Sequence, residues 1–271
     1  MASVEVRLRL NHIFSNVELG YWLDLFNSPA CKITRKEDGA YYLTACRFEK
    51  LTDDEVFDSA NKLTTMMTAF AKIELDVDYQ SIEPEDEGNS IISIHKPTDT
   101  ICLRTKPLIA YVSTLPTTLK VEGAEPVYPE PQEHWYDFYL DQCDDWVDHT
   151  VMFKALSDFA KKTTSFTLYW VYETIEIDER SRDAVRKLDG VTKKELRLFT
   201  ESINRYDMEG RGRHAEKPKD DYNRPRMSLS EARTFLASRI LKPWLVKKRE
   251  IYKSLANGKV HAKYLSCKLN I

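Results

Sequence analysis

The sequence predicts an α+β fold: an N-terminal, mainly antiparallel sheet with one packed helix, followed by an all-helical C-terminal unit. Three observations carry this. Residues 4–10 alternate Val4, Val6, Leu8 and Leu10 with polar neighbours, the pattern of a half-buried strand. Beyond residue 134 no convincing strand pattern remains. Capping boxes, in which a Ser or Thr precedes a Glu by three residues, open three helical patterns, at Thr52/Glu55, Thr192/Glu195 and Ser228/Glu231.

Taken in order, residues 40–48 read as a second strand, entered through the Asp38-Gly39 turn signal. Leu51 can staple onto Val56, and the helix that follows shows Val56, Ala60, Leu63, Met67 and Phe70 on one face, to about residue 71. Residues 72–80 alternate again (Ile73, Leu75, Val77, Tyr79) and predict a strand. Short strands are expected at 90–95, 100–104 and 108–114, with turns at 96–99 and 106–107. Residues 123–133, with Pro126, Pro129 and Pro131, form the linker candidate. The expected organisation is therefore a sheet-plus-helix unit over 1–122, a linker over 123–133 and a helical unit over 134–271.

Within the second unit, one or two helices fall in 134–161, with Met152, Leu156, Phe159 and Ala160 as a stripe. Residues 166–177 are apolar nearly all round and predict a buried, central helix. The box at Thr192 opens a helix that buries Leu196, Phe199 and Ile203. The box at Ser228 opens another with Leu229, Ala232, Leu236 and Ile240 on one face. Pro243 is expected to end or kink it, with a resumption through Val246, Ile251, Tyr252 and Leu255.

Composition excludes several classes. Hydrophobic residues make up 42% and charged residues 31%, which suffices for a packed core. Charges punctuate the first ten residues, and no apolar stretch is long enough to span a bilayer, so a cytoplasmic chain without membrane contact is expected. Five scattered cysteines with no CxxC pair predict reduced thiols. There is no Walker A loop, GxGxxG, HExxH or GxSxG, and the six histidines lack ligand spacing. No catalytic residue, metal site or cofactor is therefore assigned. Asp76-Val77-Asp78, placed on a strand, would put two carboxylates on one side, the pattern of a solvated strand face more than of a metal site.

Charge is divided unevenly along the chain. Lys+Arg minus Asp+Glu gives 16 − 32 = −16 for residues 1–179 and 24 − 11 = +13 for residues 180–271, summing to the net −3. Either the two blocks face each other, or the basic block meets an anionic partner such as an acidic protein surface or nucleic acid.

Two clusters could serve such a partner. Around Gly210 and Gly212 stand Asn204, Arg211, Arg213 and His214. An Arg213 or Arg211 fork could clamp Glu173, which lies in the apolar helix and needs a partner, or could bind an anionic ligand. A catalytic His214 would need a positioned partner that the sequence does not name. The second cluster is Lys247, Lys248 and Arg249, a solvated helix face or a phosphate grip with Trp244 or Tyr252 as a stacking surface.

From Phe166 to Trp244 the order of features is specific. A Leu168-Tyr169-x-Val171-Tyr172-Glu173 helix precedes Phe199, Thr200 and Asn204. Then come Gly210, Arg213-His214-Ala215, Pro225-x-Met227-Ser228-Leu229-Ser230-Glu231-Ala232, and a helix carrying Trp244-Leu245. This block resembles a group of uncharacterised bacterial proteins. The resemblance implies a bacterial source and brings Glu173, Asn204, Arg213 and His214 together as a unit. It implies no activity. The sequence thus points to a bacterial cytosolic binding or interaction protein, with nucleic-acid or nucleotide binding through the basic third, or an enzyme built on the Glu/Arg/His cluster, as alternatives.

Overall fold

The alternation expected for strand β1 (Ser3–Leu10) holds from Val6 to Arg9, with Val6 and Leu8 buried while Arg7 and Arg9 face solvent, and breaks at Glu5, which is buried and paired with Lys36. The computed structural model describes residues 3–10, 23–28, 30–76, 82–85, 92–95, 134–141, 151–204 and 225–256. β1 is the central strand of a five-stranded sheet and pairs antiparallel with three others. Strand β3 (Tyr41–Ala45) lies along one edge, with Val6 opposite Leu43, and β2 (Cys31–Arg35) pairs with β3 beyond it. Strands β4 (Ile82–Pro84) and β5 (Ile92–His95) share the other edge, β4 at the end near Leu10 and β5 at the end near Ser3. β2 and β4 are additional to the strands expected from the sequence, β4 standing where a loop over 83–89 is expected. The expected strands at 100–104 and 108–114, and the linker at 123–133, lie outside the described residues.

Helix α1 (Asp53–Glu74) covers the sheet. Thr52 N donates to Glu55 Oε2 at 2.8 Å, closing the predicted box, and the predicted stripe from Val56 to Phe70 is buried. The second strand ends early: β3 stops at Ala45, and residues Cys46–Lys50 form a 3₁₀ turn that places Phe48 in the core.

The strand expected over 72–80 is overturned for its described part. The helix continues to Glu74, and Leu75 N donates to the Ala71 carbonyl at 2.8 Å. Two apolar residues at an interval of two are too short a pattern to tell strand from helix, and extending an existing helix adds a backbone bond per residue. The chain turns instead at Asp76, whose φ is +51°. Asp76 is thus a helix-terminating residue rather than part of a strand-borne carboxylate pair.

The helical part contains α2 (Asp137–Asp141), α3 (Val151–Ala160), α4 (Ser165–Glu179), α5 (Arg182–Lys187) and α6 (Lys193–Asn204), then α7 (Leu229–Phe235) and α8 (Lys242–Ala256). The stripe of Met152, Leu156, Phe159 and Ala160 is buried on α3, and α6 buries Leu196, Phe199 and Ile203. The boxes at Thr192 and Ser228 are both made: Thr192 N donates to Glu195 at 2.8 Å and Ser228 N to Glu231 at 2.7 Å. Thr164 caps α4 in the same manner with Thr167 as its reciprocal partner.

Pro243 does not end its helix. Between α7 and α8 the backbone widens into a π-helical segment, Leu236–Leu241, and the helical run continues to Ala256. In a regular helix the pyrrolidine ring collides with the carbonyl four residues back and one hydrogen bond is lost. A wider turn just before the proline gives the ring room, so the apolar face of Leu236, Ile240, Leu241, Trp244 and Leu245 stays buried.

One buried cluster joins the sheet, α1 and the helices. At its centre Phe70 of α1 stacks on Tyr136, with ring centroids 5.1 Å apart, and meets Trp135 edge-on at 5.3 Å. The Tyr136 hydroxyl donates to the Leu25 carbonyl at 2.9 Å. The described residues on both sides of the expected linker therefore share a core.

Candidate functional site

Helix α4 is the organising element of the candidate site. Leu168, Val171, Tyr172 and Ile175 point into the core, and Tyr172 meets Phe199 of α6 edge-on at 5.7 Å. Burial, with Glu176 alongside, raises the pKa of the Tyr172 hydroxyl well above that of a free tyrosine.

The last turn of α4 supplies Asp178 and Glu179, and these two carboxylates receive the basic run of α8. Trp244 is fully buried, and its Nε1–H donates to Asp178 Oδ2 at 2.9 Å. Lys248 pairs with the same Asp178 and lies 5.8 Å from the centre of the Trp244 ring. Lys247 Nζ donates to Glu179 Oε2 at 2.6 Å, and the Glu179 side chain is only 5% exposed. An enclosed polar group is costly without a partner, and Lys247 is the partner of this one. Arg249 also has partners, among them Glu250 at 3.6 Å. The sequence run Lys247-Lys248-Arg249 is therefore engaged within the molecule. Trp244, expected as a stacking surface, belongs to the core. Tyr252 is half-buried against that core, and burial raises its pKa.

Among the described residues the same kind of pairing joins the basic block to the acidic one at three further places. Lys242 Nζ lies 2.7 Å from Glu74 Oε1, an oxygen that also accepts from Trp135 Nε1 at 2.6 Å. Arg182 pairs with Glu176 at 3.0 Å, and Arg233 with Asp76 at 2.9 Å. Each of these pairs joins a residue after 179 to one before 180. The −16/+13 division is thus met in part by internal neutralisation.

Of the other sequence-predicted residues, Glu173 lies on the outer side of α4, half-buried, where its Oε1 accepts from the Tyr169 hydroxyl at 3.2 Å. Asn204 closes α6, and its Oδ1 is enclosed without a hydrogen-bond partner. Arg211, Arg213 and His214 lie outside the described residues. Among the described residues, no group of three His, Cys, Asp or Glu side chains could hold a metal ion, and no helix is long and apolar enough to cross a membrane.

The outer side of α4 departs from expectation in another way. The helix is not buried all round: Phe166 and Trp170 are each 46% exposed and Ile177 is 70% exposed. With Glu173 they stand at positions 166, 170, 173 and 177, the i, i+4, i+7, i+11 spacing of one helix face. Phe166 and Trp170 lie side by side, with ring centroids 6.4 Å apart. The spacing was present in the sequence, but in a segment apolar on every side it does not reveal which face is left open.

The chain matches no protein-family model, no curated protein and no solved structure.

Proposed function

We propose that the chain is a bacterial cytosolic interaction protein that binds another polypeptide through the outer face of α4. The observation that carries this reading is the run of Phe166, Trp170 and Ile177, three large apolar side chains left in solvent on one helix face. Scattered apolar side chains are ordinary on protein surfaces, whereas aromatic residues aligned at helical spacing are the anchors with which a helix face engages a partner. A polar residue within the stripe, Glu173, supplies orientation.

The charge geometry favours this over a phosphate grip. Gripping nucleic acid with Lys247 and Lys248 requires both to leave Glu179 and Asp178, and Trp244 has no face to offer a base.

The test is a photo-reactive benzoyl-phenylalanine placed at Trp170 in the full chain, expressed in its native cells, with the same group at the exposed Lys194 as control. Adducts to polypeptide are expected from position 170 and not from 194. No adduct at 170, or equal labelling from both positions, overturns the reading.

A further inference from the structure

We draw no further inference here: the strongest candidate, the open outer face of α4 with Phe166, Trp170 and Ile177, belongs to the site already described, and nothing in the structure shows which partner covers it.

Discussion

Arg233 holds Asp76 by two of its oxygens. Its Nη2 donates to the Asp76 backbone carbonyl at 2.7 Å and to the carboxylate at 2.9 Å, and Thr234 adds a second bond to that carboxylate at 2.8 Å. Asp76 occupies the left-handed region at φ +51°, where a non-glycine residue is strained. The α7 clamp therefore holds the end of α1 in a conformation that the chain by itself disfavours.

The Arg233 side chain is only 7% exposed, so its removal leaves both a gap and an unanchored turn. Arg233→Ala should lower unfolding free energy by about 2–3 kcal/mol in denaturant titration. Asp76→Asn, which keeps an acceptor and tolerates the left-handed region, should cost less than about 1 kcal/mol. Equal costs for the two variants would show that the clamp does not act through the arginine.

Lys72 is buried to 1% exposure with its Nζ donating to the carbonyls of Lys161 at 2.6 Å and Phe159 at 3.4 Å, at the end of α3. Carbonyls at a helix terminus have no partner within the helix, and a cation there also meets the negative end of its dipole. Lys72→Ala should destabilise by about 2–4 kcal/mol, read from the urea midpoint at constant slope. A loss below about 0.5 kcal/mol would count against the lysine as a structural cap.

Trp244→Phe tests the α4–α8 junction. It keeps the buried ring and removes the donor to Asp178, so a loss of about 1–2 kcal/mol is expected in denaturant unfolding. Trp244→Ala empties the site as well and should cost about 3–5 kcal/mol. If both variants cost the same, the hydrogen bond contributes what the packing was assigned.

Acid should loosen the helices that begin with boxes. The carboxyls of Glu55, Glu195 and Glu231 are held below the ordinary value of 4.5 by hydrogen bonds from Thr52, Thr192 and Ser228. A group whose folded pKa is depressed contributes fully above its unfolded value and loses that contribution as pH falls through the folded one. Thermal midpoints should therefore hold above pH 4.5 and decline below it. Replacing the three glutamates by glutamine should flatten that decline, as followed by circular dichroism at 222 nm. An unchanged decline would place the acid sensitivity in other carboxylates.

Local chemistry made much of the architecture legible. A capping box involves residues three apart, so Thr52, Thr192 and Ser228 announced their helices without reference to the rest of the chain. The same holds for the stripes of α1 and α6 and for the alternation of β1, since periods of 3.6 and 2 are properties of the segment itself. The candidate site was less legible. Glu173 was singled out for its charge in an apolar helix, yet its described partner is Tyr169, one turn away on the outer face. The basic run of α8 was visible, but which carboxylates would receive it was not.

What only the tertiary structure decided depends on neighbours distant along the chain. Lys72 is buried because α3 brings carbonyls to it, and Lys247 and Lys248 are occupied because α8 is laid beside Asp178 and Glu179. Pro243 is accommodated inside a helix because keeping Trp244 and Leu245 in the core outweighs the hydrogen bond a regular turn would have lost. The open side of α4 is open because α3, α5, α6 and α7 pack around the remainder of it. By itself the sequence determined where its elements begin and which periods they follow. The fold decided which faces meet and which charges find partners, because burial is a property of the assembled surface and not of a segment.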